Sequence, residues 1–325
     1  MDQCTAYPET PSARTKWIKQ LRAPVKRPNS NSEPRILLEE EICAQGKGLR
    51  TGTIFLINRE CPWTCVMCDL WKHTSNTPLP PGHAATQLRN ALAKLETNAD
   101  CPIEQIKIYN SGSFFDSRAI YPSDYPSVAE SLSSYSRVIV ENHPKLTSQP
   151  VKTFNDILDS SLEIAMGLES ADDKLLDKLN KRFSLTDYKR ACDFLGSNDI
   201  AHRAFIMVQP PFTHPDDALE LCIKTVEFAF DQNASCVSLI PSRATTGAMH
   251  SLQRTGDFVQ PSLAMLEQCF SKALELNRGR IFVDLWDLEM FSHCNTCFNV
   301  RRNRLNEMNN LQRVLPISNC KKCQT

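Results

Sequence analysis

Two groups of cysteines have types and spacing that could do chemistry. Cys61, Cys65 and Cys68 are spaced C-x3-C-x2-C directly after the apolar run Thr53-Ile54-Phe55-Leu56-Ile57. Three thiolates on one short loop can converge on one metal centre, and on a four-iron cube they leave one iron without a protein ligand. That iron is open to a second molecule. Zinc is the competing occupant, but structural zinc sites prefer four protein ligands, and the nearest candidate fourth, His73, lies beyond the loop. The second group is Cys294-Asn295-Thr296-Cys297 with Cys320-Lys321-Lys322-Cys323. Two C-x2-C knuckles present two sulfurs each, the pattern of a four-thiolate zinc ribbon or of an auxiliary iron–sulfur cluster. His293 adjoins this group as a spare donor, although four cysteines already complete a shell.

Hydrophobic periodicity shows what positions these loops. The run 53–57 reads as a strand, and His83 to Thr97 places Leu88, Ala91, Leu92 and Leu95 on one helical face. Strand patterns recur at Ile103–Tyr109, Arg137–Glu141, Leu162–Leu168, Ala201–Val208 and Ser235–Ile240, with a further one at Ile281–Leu285. Helical patterns fall between them at 122–135, 149–158, 172–180, 186–196, 215–230 and 261–277. Such alternation predicts parallel strands joined by right-handed crossovers, an α/β fold with its ligands at the C-terminal strand ends.

The cysteine loop after a first strand resembles that of the radical S-adenosylmethionine (radical SAM) superfamily. The resemblance implies a partial (β/α)6 barrel at residues 49–288, preceded by a basic, Pro-rich arm at 1–48 and followed by a small Cys4 module at 289–325. It also implies a [4Fe-4S] cluster on Cys61, Cys65 and Cys68, with SAM chelating the open iron and yielding a 5′-deoxyadenosyl radical on reduction. An electron donor such as a flavodoxin or ferredoxin then becomes a partner.

Further positions match the superfamily at the strand ends. Ser111-Gly112-Ser113 after the second strand resembles the glycine motif that holds the SAM amino group. Glu141, in Glu-Asn-His-Pro after the third, resembles the acid that contacts SAM in the elongator and coproporphyrinogen-oxidase branches. Glu169, in Gly-Leu-Glu-Ser after the fourth, stands where a side chain reaches the ribose. Those branches carry an Asn-Arg pair about a dozen residues on; here Asn180-Lys181-Arg182 leaves either Lys181 or Arg182 to pair with the SAM carboxylate. Arg203 on the fifth strand is open to two readings, a second anion contact or a buried structural cation. Met67 replaces the usual aromatic residue before the third cysteine, near the adenine. His143 is a candidate catalytic group or a plain hydrogen-bonding residue, and Trp63 and Trp71 shield the cluster or pack in the core. The radical SAM subunits of archaeosine synthases share the Met before the last cysteine and a Ser-Gly-Ser-Phe-x-Asp segment, which implies carbon–nitrogen cleavage on a modified deazaguanine base in tRNA.

Composition narrows the classes. With 37 basic and 37 acidic residues the chain is not a wholly basic nucleic-acid binder. No apolar run reaches the length of a membrane span, and the first residues lack a secretory pattern. Cys4, Cys43, Cys101, Cys192, Cys222, Cys236 and Cys269 are spread through the chain, several in apolar patterns that suit core packing; many thiols beside an oxygen-labile cluster point to a reducing cytoplasm. Local basic patches remain: Arg14, Lys16, Lys19, Arg22, Lys26 and Arg27 around Trp17, and Arg301, Arg302, Arg304, Arg313, Lys321 and Lys322 in the tail. Each reads either as a solvated surface or as a phosphate contact for RNA. Two other classes stay open: a radical SAM enzyme of a small molecule or peptide with an auxiliary cluster, and a non-catalytic zinc-dependent RNA-binding or scaffold protein.

Overall fold

Eight strands form one sheet in chain order, curled into a half-barrel. The computed structural model describes residues 6–317 and 320–323, so Cys4 lies outside the described residues. The chain begins with α1 (Pro11–Gln20), then β1 (Arg35–Ile42), β2 (Gly48–Phe55), α2 (His83–Asn98), β3 (Gln105–Tyr109), α3 (Tyr125–Leu132), β4 (Arg137–Glu141), α4 (Gln149–Asn155) and β5 (Ser161–Glu169). It continues through α5 (Asp173–Lys178), α6 (Leu185–Gly196), β6 (Ala201–Val208), α7 (Ala218–Asp231), β7 (Cys236–Pro241), α8 (Gly247–Thr255), α9 (Leu263–Glu275), β8 (Arg280–Val283) and α10 (Phe298–Leu311). β1 is antiparallel to β2, and β2 to β8 are mutually parallel. Their C-terminal ends therefore share one rim of the barrel.

Side chains alternate across the sheet. One face, including Ile54, Ile106, Ile108, Val138, Val140, Ile164, Met166, Ala204, Ile206, Val237, Leu239 and Ile281, is fully buried in the main hydrophobic cluster with the helices. The opposite face is charged at its base. Arg203 Nη1 and Nη2 donate to the two carboxylate oxygens of Glu41 at 3.0 and 2.8 Å, and its Nε donates to Glu163 at 2.9 Å. Lys107 bridges Glu39 and Glu41 at 2.9 and 2.6 Å, and Arg137 lies 3.4 Å from Glu163. This network explains why β1 has no counterpart among the strand patterns of the sequence: its Glu39-Glu40-Glu41 run looks solvated, yet Glu39 and Glu41 alternate inward to cations from β3 and β6. It also corrects the expectation that Arg203 touches a cofactor. All three of its nitrogens are engaged by glutamates, and it lies near the start of β6, the end opposite the cysteine loop.

The N-terminal arm is not a loose tail. Arg14 is buried and pairs with Asp177 at 2.8 Å, Trp17 and Ile18 pack into a second apolar cluster with Val66, Leu179 and Met249, and Arg22 and Arg27 both pair with Glu60. Trp17 is therefore unavailable to stack on a base, and three of the arm's cations are committed internally. In the tail, α10 has no counterpart among the helical patterns of the sequence, because Phe-Asn-Val-Arg-Arg-Asn-Arg-Leu carries no clear apolar stripe. Its Arg301 and Arg304 are buried against Glu267, so they do not contribute to an outward basic surface.

Burial opposes charge on Glu41 and Glu163, but Arg203 beside them, with Lys107 for Glu41, holds both carboxyls below the ordinary range. Their contribution to stability is thus present above the unfolded value of about 4.3 and is lost as pH falls below it. Arg203→Met removes the shared cation and leaves buried carboxylates exposed to their desolvation penalty, a loss of about 3–5 kcal/mol. Urea denaturation should show this gap at pH 7 and a smaller one near pH 4, where the glutamates take up protons.

Candidate radical SAM site

The cysteine loop lies beyond the C-terminal end of β2 and is fastened across the rim. Val66 N–H donates to Leu179 O at 3.0 Å, and Asn180 Nδ2 donates to Thr64 O at 2.7 Å. The arm supports the same segment: Tyr7 Oη donates to Lys178 O at 2.6 Å, and Asn180 Nδ2 also reaches Thr15 Oγ1 at 3.2 Å. The loop is thus held by the residues that follow α5, which the arm in turn holds against the barrel.

Lys181 is the hub of the rim. Its Nζ pairs with Glu169 at 2.8 Å, and it also feels Cys61, Cys65 and Cys68 electrostatically. Burial works against the ammonium, but Glu169 and then Cys65 hold its pKa above the ordinary range. Arg182 beside it is exposed and has positive φ. Of the two candidates the structure brings Lys181 to the cysteines and turns Arg182 away. Glu169 sits at a register shift in the β5–β6 ladder with φ 64°, a strained conformation of the kind that concentrates at functional sites. Gly167 makes room for the pair: a Cβ there would meet Glu169 Oε1 at 2.5 Å and Lys181 Nζ at 3.0 Å.

The turn after β3 is braced from behind. Glu141 accepts from the backbone N–H groups of Asn110 and of Gly112, the latter at 3.2 Å, and Ser111 has φ 54°. Burial raises the Glu141 carboxyl to about 7, with the three N–H groups of the turn pulling the other way. A Cβ on Gly112 would stand 3.4 Å from that of Cys61, so the glycine lets the turn close on the cysteine loop. Ser113 Oγ accepts from His143 N–H at 3.1 Å. His143 Nδ1 accepts from Lys145 N–H at 3.2 Å, which leaves Nε2 to donate to Lys181 O at 3.0 Å. Its ring stacks on Trp63 at 3.6 Å and 7°. Burial, aided by Lys181, pulls its pKa down to about 3, so it is a neutral brace with both nitrogens in use. Met67 packs at the edge of the apolar cluster around Val66 and Leu179.

Comparison with known proteins now bears on this geometry. No family model matches the chain. The archaeosine synthase subunit beta of Methanosarcina acetivorans is 26% identical over 225 residues, 66% of this chain and 64% of that protein. The chain thus spans less than two thirds of that relative's length. Elp3 of Methanocaldococcus infernus superposes with a TM-score of 0.53 over 74% of this chain and 61% of that one, at 14% identity. A radical SAM methyltransferase from Sphaerobacter thermophilus gives 0.51 over 84% and 81%, at 15% identity, and both likenesses are of fold. In sequence the chain is thus similar to an archaeosine synthase subunit, and in fold to Elp3 and a radical SAM methyltransferase.

The residues at the rim fit the two groups that radical SAM chemistry uses. Three cysteines, with Gly112 closing on them and Lys181 supplying positive charge, suit an anionic cluster. Polar atoms suit SAM: Asn58 Oδ1, both Asn110 amide atoms, Asn142 Oδ1 and Ser170 Oγ are buried without a protein partner, each within three residues past the end of β2, β3, β4 or β5. Sequence reading overlooked these four residues. The available signal was positional, because each follows an apolar strand run at the rim. Gly167→Ala should break the Glu169–Lys181 pair while sparing the cysteines. Isothermal titration should then show SAM affinity reduced by about tenfold or more, the scale of one charge-assisted contact, with the iron content unchanged.

Proposed function

We propose that this protein is a radical SAM enzyme that cleaves SAM reductively at a [4Fe-4S] cluster bound by Cys61, Cys65 and Cys68, and uses the radical to modify a nucleoside in RNA, tRNA foremost. One observation carries the reading: the three-cysteine loop is hydrogen-bonded to Leu179 and Asn180, next in the chain to the Lys181–Glu169 pair, at the C-terminal rim of a half-barrel where the unpartnered polar groups of four successive strand ends also lie. When bound and reduced, the cluster supplies the electron that splits SAM, the chemistry the cofactor itself contributes.

The chain's own residues bind, orient and exclude water. Lys181 offers its ammonium to the SAM carboxylate, and Glu169 offers acceptors to the ribose hydroxyls. Ser111 and Gly112 present the turn that receives the amino group. Glu141 holds that turn from behind through its N–H groups rather than from the ligand side. Trp63 on the cysteine loop stacks on His143, and Trp71, three residues past Cys68, is buried beneath Arg22 at 4.5 Å.

Support for RNA comes from the relative's name, an archaeosine synthase subunit, and from exposed Lys16, Lys19, Lys26, Arg302, Arg313, Lys321 and Lys322. The word subunit in that name also supports a protein partner, alongside a ferredoxin or flavodoxin as electron donor. Zinc or a second cluster at the C-terminal cysteines is compatible with this chemistry. After anaerobic reconstitution with iron and sulfide, the protein with dithionite and SAM should release 5′-deoxyadenosine. Replacing Cys61, Cys65 and Cys68 together by alanine should reduce this to background; full cleavage by the triple variant would overturn the proposal.

A further inference from the structure

The four C-terminal cysteines are placed for a single ion. Cys294 Sγ lies 3.9 Å from Cys320 Sγ, Cys297 Sγ lies 3.5 Å from Cys323 Sγ, and all four sulfurs are within 4.8 Å of one another. Zinc–thiolate bonds of about 2.3 Å in a regular tetrahedron put the sulfurs about 3.8 Å apart. A four-iron cube interposes corner irons and their sulfides between its thiolates, and so holds them further apart. His293 is exposed, and four sulfurs complete the shell without it. Oxygen ligands, which calcium and magnesium require, are not part of the set.

The surroundings meet the charge of such a site. One divalent ion and four thiolates carry a net charge of minus two. Arg301, one turn into α10, donates through Nε and Nη2 to Glu267 at 3.1 and 2.6 Å and also stands beside the Cys297 sulfur. Glu267, on α9, thereby fixes the guanidinium against the ligand. Arg304, whose Nε and Nη2 donate to the carbonyl of Leu315 at 3.0 and 2.7 Å, anchors the segment returning toward the second knuckle.

The helix that starts at this site seals the sheet. Asn309 accepts from Val283 N–H and donates to Val283 O, at 2.8 and 3.0 Å, while Gln312 does the same for Ile281 at 2.8 and 2.9 Å. These two side-chain amides occupy the outer edge of β8 as a further strand would, blocking pairing with another chain. Cys297 is the residue immediately before α10, and the ion would join it to residues 320–323.

We propose that Cys294, Cys297, Cys320 and Cys323 bind one zinc ion, with Arg301 balancing its charge, and that this ion clamps α10 over the free edge of β8. The proposal does not depend on the radical SAM reading. It is tested first on the full-length Cys61→Ala/Cys65→Ala/Cys68→Ala variant, which isolates the second site. Elemental analysis should find about one zinc and no iron per chain, and cobalt(II) exchanged into it should give the visible bands of a tetrahedral thiolate site. Arg301→Gln should keep the zinc but lower its affinity about 10–100-fold in chelator competition, as loss of an outer-shell partner does. In otherwise unaltered protein, Cys320→Ser/Cys323→Ser should lose zinc, keep the iron of the first loop and speed hydrogen exchange at residues 281 and 283. Iron in place of zinc in the first variant, or zinc retained with unchanged exchange in the last, would overturn the proposal.

Discussion

The buried ammonium of Lys181 sets the terms for the functional end of the molecule. It pairs with Glu169 on β5, interacts electrostatically with the three thiols of the loop after β2, and belongs to the residue whose carbonyl receives His143 from the β4 end. A cluster held by three thiolates is an anion in a site that burial makes hostile to charge. Burial raises the pKa of Cys61, Cys65 and Cys68, and each thiol is easier to ionise for having Lys181 near it. A metal takes thiolates, so the same cation that steadies Glu169 favours the ligand form of the cysteines.

Lys181 can hold that place because the barrel is rigid on both sides of it. Below, Glu39, Glu41 and Glu163 balance Lys107, Arg137 and Arg203, filling the base of the half-barrel with paired charge and locking antiparallel β1 to the parallel strands. At the side, Arg280 on β8 donates to Ile42 O on β1 at 2.8 Å, linking the two edges of the sheet. Above, Tyr7 and the α1 residues Arg14 and Thr15 hold the end of α5 and Asn180 beyond it. Of the six cations that made the arm look like a phosphate contact, Arg14, Arg22 and Arg27 are internal ties, and Lys16, Lys19 and Lys26 face solvent.

Much of this was legible because parallel strands buried against helices are written as apolar runs. β4 and β6 occupy the residues their patterns predicted; Glu141 and Glu169 end β4 and β5, Gly112 lies just past β3, and Lys181 follows α5. What was not legible depended on partners distant in the chain. β1 reads as a charge run until Lys107 and Arg203 are seen opposite it. Arg203 reads equally as an anion contact or a buried cation until Glu41, 162 residues away, is found bonded to it. Arg301 and Arg304 read as surface until Glu267 is placed between them. Glu141 was found by its position, but its use, gathering the N–H groups of the neighbouring turn, required the structure.

The proposed function requires SAM to bind at the iron left open by the three cysteines. Electron paramagnetic resonance of the anaerobic, dithionite-reduced protein, recorded with and without SAM, tests it most directly. The reduced protein should give the signal of a [4Fe-4S] cluster whose g-values shift when SAM is added. A cluster signal that SAM leaves unchanged, at SAM concentrations well above those that saturate related enzymes, would contradict it.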